Sequence, residues 1–430
     1  MRKELLDLLR CPFCGTRLSL VDSGACVRIE DDIVSGVLGC ECSAFPIVAG
    51  IPVLVTDNTT REAMHALEAG RREEALFALL GLGPDDRRTG AVRALLARGE
   101  HVTYRDALAI LCLDAEGAYF LYRFSDPTFV AAEALLRAIG KHPSIRASRA
   151  LDLCGGSGHL TRVLARLQRA EEHHSRVKDH PGAPKDQPVV ADRAFWKLWL
   201  ATRVTAPDCA AICCDANHPL PFVDGAFALV VLSDAFPYIW HKRLLAGEMA
   251  RLAAQDGAIV MPHLHNALGE NVSAGDTLTP AAYSALFARR HPRLFRDDGL
   301  LQRVLDDRVV DLTQSVSATA IGDDPSFTLV ACRDDHLFNC YEVPDPGTVS
   351  GALIVNPLYR VTHHSGSSVL TLSFPTPEYA EEFAACTRYL PDTVTVDADL
   401  SGPIDPATLG SAEAELRRRR IVLDAPLHYL

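Results

Sequence analysis

Along this chain the apolar positions change their period several times, and each change marks a different kind of element. Up to about residue 55, short β-forming runs alternate with turn residues and close in Phe45-Pro46-Ile47-Val48-Ala49-Gly50-Ile51-Pro52-Val53-Leu54, a pattern of short strands around a knuckle. From about 57 to 145, Ala, Leu, Arg and Glu recur at helical spacing. Helices are predicted over 61–80, 89–98 and 127–139, the last opened by the capping sequence Ser125-Asp126-Pro127.

From Ala150 the texture switches to short apolar runs, each followed by turn chemistry and a helical segment. That alternation is expected of a parallel sheet with crossover helices. Strands are predicted at 150–153, 188–191, 210–213, 228–232, 258–262, 309–313 and 327–332, which makes a seven-stranded Rossmann-like α/β sheet. Between the first crossover helix, 160–167, and the second strand, residues 168–186 are polar with balanced charge and almost no apolar anchor, which reads as a surface insertion. Beyond about 334 the pattern predicts strands at 351–359 and 368–374 and helices at 377–389 and 412–420. The expected organisation is a knuckle at 1–55, a helical collar at 56–145, the α/β domain at 146–333 and an α+β extension at 334–430.

Composition narrows the function. The net charge is −12, from 43 Lys and Arg against 55 Asp and Glu, which opposes a nucleic acid held by charge alone. No run approaches 18 apolar residues, and Met1-Arg-Lys-Glu-Leu-Leu-Asp7 carries charges where a signal peptide needs an apolar stretch. A cytoplasmic protein with no membrane partner is therefore expected. Thirteen cysteines without secretory features suggest metal binding or core packing over a disulfide framework.

Their spacing points to metal. Cys11-Pro-Phe-Cys14-Gly15 and Cys40-Glu-Cys42 set two thiolate pairs at the ends of a loop, and four thiolates satisfy the tetrahedral preference of Zn²⁺. Four protein ligands leave no open position, so the ion is expected to be structural. Cys40-Glu-Cys42 is tighter than the usual C-x-x-C, and Cys26 offers a competing ligand. The segment also carries Arg2, Lys3, Arg10, Arg17 and Arg28 against Glu4, Asp7, Asp22, Glu30, Asp31, Asp32 and Glu41, the wrong balance for an RNA clamp. With the Phe-Pro-Ile-x-x-Gly-Ile-Pro-Val-Leu close, residues 5–55 resemble the Trm112-like zinc-ribbon family. That resemblance implies a module that accompanies or activates methyltransferases.

The second motif is Asp152-Leu153-Cys154-Gly155-Gly156-Ser157-Gly158, an apolar strand running through an acid into a glycine turn and a helix. Glycines let backbone approach a ligand, and the helix start offers N–H groups to an anion. A dinucleotide loop would want a third glycine where Thr161 stands, and Asp152 would repel pyrophosphate. S-adenosylmethionine carries an ammonium and a sulfonium, which an Asp favours. Asp192 ends the second strand, where a carboxylate can accept from two ribose hydroxyls, or only cap the next helix. Asp215 and Ala216 follow the third strand and could meet adenine through carboxylate and backbone N–H. Ser233 and Asp234 end the fourth, at the edge that faces the ligand crevice.

Together, residues 145–333 resemble the class I S-adenosylmethionine-dependent methyltransferases. The resemblance implies a cofactor held by Asp152, Cys154, Gly155, Gly156, Gly158, Asp192, Asp215, Ala216 and Ser233. Cys154 replaces the first glycine of the D-x-G-x-G-x-G pattern, a replacement expected to be tolerated if its φ is negative.

Methyl transfer is an in-line displacement that needs alignment and sometimes a base. Candidate bases are Asp234 and, just past the fifth strand, His263 and His265, which point to one side if the chain there is extended; either histidine could instead hydrogen-bond loop backbone. Tyr238, Trp240 and His241 either line an acceptor pocket or pack on the sheet, and Trp196 and Trp199 are expected in the core. Gly269, Gly275 and Thr279-Pro280 mark 266–287 as a hinged lid. A closed apolar pocket on an acidic chain favours a small or medium organic acceptor, with a specialised metabolite one candidate. The alternatives are an rRNA or tRNA methyltransferase with a zinc-finger recognition module, a non-catalytic cofactor-binding scaffold, and an NAD-dependent oxidoreductase. A homodimer or protein partner is expected to use the C-terminal extension.

Overall fold

The computed structural model describes the chain except residues 84, 100, 101, 113–115, 147, 176–186, 271, 272, 274, 344, 401 and 403, and of 170–175 the backbone alone. The short N-terminal runs form β1 (Ser19–Leu20), β2 (Val27–Ile29), β3 (Asp32–Gly39), β4 (Ala44–Val48) and β5 (Ile51–Pro52). They pair antiparallel in the order β1-β3-β4-β5, with β2 also on β3.

The large sheet comprises β6 (Ala150–Leu153), β7 (Val189–Asp192), β8 (Ala210–Cys213), β9 (Phe227–Val231), β10 (Ala253–His265), β11 (Pro292–Arg296) and, after β12 (Val309–Asp311), β13 (Ser326–Ala331). Its order is β11-β13-β10-β9-β6-β7-β8. The β6, β7, β8, β9 and β10 pairings are parallel, and β13 runs antiparallel to both β10 and β11. Parallel strands covered on both faces need continuous apolar runs, and β9, Phe-Ala-Leu-Val-Val, is buried throughout. The chain leaves β6 toward β7 and β8, then returns to β9 on the other side. A ligand crevice opens outside the carboxyl ends at such a switch.

One strand assignment is corrected. The predicted sixth strand, 309–313, does not enter this sheet: β12 pairs with β14 (Cys340–Glu342) in a separate ladder. Its place is taken by β11, Pro-Arg-Leu-Phe-Arg, in a stretch where no strand is predicted. An edge strand needs few apolar residues, and here Leu294 and Phe295 alone are buried, so the β-branched run at 309 gave the stronger signal.

The insertion is also corrected at its start, because the helix after β6 runs His159–Ser175; residues 176–186 of the expected insertion lie outside the described residues. The expected hinges of the lid are close-packed. A Cβ on Gly269 would lie 2.5 Å from the Asp323 carbonyl oxygen, and one on Gly275 2.7 Å from the Pro237 carbonyl carbon. Thr279 does cap the helix Pro280–Leu286.

The N-terminal sheet is docked on the large one. Val53 forms a parallel bridge with Cys213, the Leu54 N–H donates to the Cys213 carbonyl at 2.7 Å, and the Val223 N–H donates to that of Leu8 at 3.0 Å. Leu9, Leu38 and Phe45 share one apolar cluster with Ile212, Phe222 and Val230. The edge of β8 is thereby covered.

The collar contains helices Asn58–Glu68, Arg72–Leu79, Arg88–Ala97, Tyr104–Leu111, Glu116–Tyr122 and Pro127–Ile139, the last capped by Asp126, which accepts from the Phe129 N–H. The C-terminal extension pairs β15 (Ala352–Val355) with β19 (Val422–Ala425) and builds a sheet from β16 (Tyr359–His364), β17 (Ser367–Leu372) and β18 (Thr393–Val396). Its apolar face packs on Val130 of the collar and Leu301 of helix Asp297–Asp306. Asn356, fully buried, ties the extension down by accepting from Ser125 Oγ at 2.9 Å and donating to the Arg420 carbonyl at 2.7 Å. Among the described residues no helix is long and apolar enough to cross a membrane.

Candidate active site

Asp152 lies within β6, 1% exposed, and accepts from Thr161 Oγ1 at 2.6 Å. Burial pushes its carboxyl up to about 6; the nearby Asp192 charge adds to the shift and the Thr161 hydrogen bond opposes it. The loop glycines answer to packing as well as to any ligand. A Cβ at Gly155 would fall 2.6 Å from Asp152 Cγ, and one at Gly158, where φ is +80°, 2.9 Å from Ala201 Cβ. Ala201 begins the π-helical turn Ala201–Thr205, and Thr205 Oγ1 donates to the Ser157 carbonyl.

Cys154 departs from the condition set on it, since its φ is +56°. A non-glycine residue in that region costs about 1–3 kcal/mol, so surrounding contacts hold the turn in place. Phe120 lies over the loop, 3.2 Å from where a Gly156 Cβ would stand. Lys197 Nζ lies 4.9 Å from the Phe120 ring centroid and pairs with Glu116 at 2.5 Å.

Asp192 ends β7 and uses both oxygens: Oδ2 accepts the Gly156 N–H at 3.0 Å and Oδ1 the Ala194 N–H at 2.8 Å. Each carboxylate oxygen keeps a lone-pair site, so capping the turn and accepting two ribose hydroxyls are compatible. After β8, Asp215 Oδ1 accepts from the backbone and side-chain nitrogens of Asn217 at 2.9 and 3.0 Å. Among the described residues its Oδ2 has only the long ion pairs to Arg193 at 3.6 Å and His218 at 3.7 Å. Ala216 is buried beside it. Past β9, Ser233 Oγ is buried with no partner in the described residues, which costs about 1–3 kcal/mol unless another group completes it. Spare acceptors on Asp192 and Asp215 and an orphan hydroxyl on Ser233 fit a nucleoside.

Across the switch point, the structure brings together the three residues read as bases. His265 Nε2 lies 2.9 Å from Asp234 Oδ1, and the His263 and His265 ring centroids are 5.0 Å apart. His263 is in β10 at a register shift between Met261 and Leu264, so the chain is bulged there where a regular extended run was expected. Tyr119 from the collar donates to Asp234 Oδ2 at 3.4 Å, and Arg123, buried in an ion pair with Asp126 at 2.8 Å, lies 5.0 Å from the Tyr119 ring centroid.

The partner of His263 was not visible in the sequence. Its Nδ1 lies 3.1 Å from Asp297 Oδ2, and Asp297 is fixed in turn by Ser326 and Thr328, both at 2.7 Å. Burial works against a charged His263 ring, but the Asp297 hydrogen bond and the Asp234 charge outweigh it and raise the pKa. For Asp234, burial is offset by the His265 hydrogen bond and the two imidazoles, and its pKa falls. Asp297 and Asp298 read in sequence as ordinary first-turn acids of the helix Asp297–Asp306. Tyr238 and Trp240 are 55% and 78% exposed, so neither packs on the sheet. Trp240 and His241 line an open depression of about 540 Å³ with Asn217 and His218. Trp199 is core and Trp196 partly buried against it.

In the N-terminal sheet, Cys11, Cys14, Cys40 and Cys42 bring their sulfurs within 4.8 Å of one another, and Cys26 is not of the group. Separations of 3.6 Å for Cys11–Cys42, 3.8 Å for Cys14–Cys40 and 3.5 Å for Cys40–Cys42 compare with roughly 3.8 Å between tetrahedral sulfurs about 2.3 Å from zinc. The donor set fits that ion.

No protein-family model and no curated protein matches the chain. Solved structures with a similar outline include an S-adenosylmethionine-dependent methyltransferase from Aquifex aeolicus, 12% identical over 50% of this chain and 97% of that one, TM-score 0.32. Another is the complex between the Haloferax volcanii Trm112 methyltransferase activator and a putative methyltransferase, 17% identical over 51% and 95%, TM-score 0.32. A third is a Haemonchus contortus phosphoethanolamine N-methyltransferase, bound to phosphomonomethylethanolamine and S-adenosylhomocysteine, 15% identical over 54% and 61%, TM-score 0.36.

Proposed function

We propose that this protein is an S-adenosylmethionine-dependent methyltransferase acting on a small or medium organic acceptor, with a structural zinc in its N-terminal ribbon. The observation that carries the reading is the row of carboxylates, Asp152, Asp192 and Asp215, along three adjacent parallel strands, with the Gly156 N–H already fixed on Asp192. A ligand with a positive charge, a ribose diol and an amine-bearing base suits that row; a pyrophosphate does not.

When bound, S-adenosylmethionine supplies a sulfonium methyl. Asp152 would favour its positive end, Asp192 its ribose and Asp215 its adenine, while Gly155, Gly156 and Gly158 keep the loop low enough for close approach. Asp234, His263 and His265 stand where the acceptor's proton is taken up, and Tyr119 and Phe120 keep water from the crevice. Phe383 of the C-terminal extension, 6.4 Å from Tyr119 between ring centroids, supports an enclosed acceptor site. Cys11, Cys14, Cys40 and Cys42 would hold the zinc.

Isothermal calorimetry with S-adenosylmethionine and S-adenosylhomocysteine tests the reading. Both should bind one per chain, and NAD should not. Binding of NAD alone, or of neither nucleoside, would remove the proposal.

A further inference from the structure

Asp234, His263 and His265 converge so that one carboxylate oxygen and one nitrogen of each ring lie within 4.8 Å of one another. Three features set the group apart from a chance hydrogen-bonded pair. Asp234 and His263 both adopt left-handed backbone, each at φ +55°, a strain that concentrates at ligand-holding sites. Behind His263, Asp297 accepts at 3.1 Å and is itself pinned by Ser326 and Thr328, the carboxylate–imidazole support that orients a metal-binding histidine. Finally, His265 is 7% exposed, so its ring is held away from bulk water. Its Nε2 lies 2.9 Å from Asp234 Oδ1, close to the roughly 3.0 Å that separates adjacent octahedral ligands each about 2.1 Å from one ion and below the roughly 3.4 Å of a tetrahedral pair.

We propose that Asp234, His263 and His265 bind a single divalent first-row transition cation, separate from the cysteine cluster. Two imidazoles with one carboxylate suit Zn²⁺, Fe²⁺, Mn²⁺ or Co²⁺ over Mg²⁺ or Ca²⁺, which prefer all-oxygen shells. Three protein ligands leave positions open. What fills them rests on the methyltransferase reading, although the ion site itself does not: an acceptor hydroxyl ligated there loses its proton to solvent and presents an oxyanion to the methyl donor. The two rings then serve as ligands, and the ion replaces them as the group that ionises the acceptor. The substrate class becomes a hydroxylated organic molecule.

Mn²⁺ is the probe of choice, because a thiolate cluster prefers softer ions. Titration of the full-length protein, followed by the spectrum of free Mn²⁺, should give one site per chain, lost in Asp234→Asn and in His263→Ala. Asp297→Asn keeps all three ligands and should weaken the site about 10- to 100-fold. With the cysteine cluster already filled by zinc, Co²⁺ should add visible absorption that the same substitutions remove. A wild-type protein with no Mn²⁺ or Co²⁺ site below millimolar concentration overturns the proposal, a result that needs no variant to fold. So does a site that persists in both ligand variants. Calorimetry with S-adenosylmethionine on the same samples reports on the nucleoside site independently, so its failure beside intact Mn²⁺ binding would fall on the methyltransferase reading alone.

Discussion

Gly156 and Asp192 are joined by a hydrogen bond of 3.0 Å from the glycine N–H to the carboxylate Oδ2, across 36 positions of sequence. The bond ties the loop after β6 to the end of β7, so the shape of the glycine turn and the place of the proposed ribose acid are one property. Asp192→Ala should therefore lose both at once. A charge-assisted hydrogen bond is worth about 1.5–3 kcal/mol, and S-adenosylmethionine affinity should fall about 10- to 100-fold by calorimetry. Unchanged affinity would mean that Asp192 only caps its turn.

Asp152 makes stability and binding depend on pH in opposite senses. Its folded-state pKa is raised to about 6, against about 3.9 in an unfolded chain. The folded protein holds this proton more tightly, so the contribution is present below about 4 and is lost as pH climbs through about 6, roughly 3 kcal/mol in all. Asp152→Asn should flatten that part of the pH–stability curve, read as the difference in denaturation midpoint between the two proteins at pH 4.5 and 7. A cationic ligand prefers the ionised form, so wild-type binding of S-adenosylmethionine should strengthen as pH rises through the same interval.

Phe120 sits over Gly156 and stacks near His159. Phe120→Ala should uncover the loop, speeding cofactor association in stopped-flow while shortening its residence. It should also lower stability by about 3–5 kcal/mol, the range for emptying a buried aromatic position. An unaltered association rate would place the entrance elsewhere.

Elemental analysis should find one zinc per chain attributable to the cysteines, lost in Cys14→Ser. Because Val53 and Leu54 pair with Cys213, losing the ion should also loosen β8, seen as faster hydrogen exchange at Ala211 and Cys213. Zinc-free protein with unchanged exchange would sever that link.

Much of the fold could be read from runs and periods. Ala150–Leu153 and Ala210–Cys213 stand where short, largely apolar runs put them, and Pro127–Ile139 begins at the cap that Asp126 announces. The solvent-facing edge strand β11 was not legible, because only Leu294 and Phe295 are buried and its composition falls toward that of a loop; the opposite edge, β8, was legible because the N-terminal sheet covers it and its run stays apolar. Local sequence also carried the identity of Asp234, His263 and His265 but not their support. Asp297 lies 34 residues beyond His263, and Tyr119 more than a hundred before Asp234. Only tertiary contact brings such residues together. The sign of φ at Cys154 likewise depends on neighbours such as Ala191, whose carbonyl accepts the Gly155 N–H at 3.3 Å.

The ribbon that lies along β8 has a consequence for stoichiometry. A separate polypeptide seated on such a border would come and go with its concentration, leaving part of the population bare. Here the covering piece travels on the same backbone, so every copy carries its own at any dilution, and the border it occupies is closed to strands from other molecules.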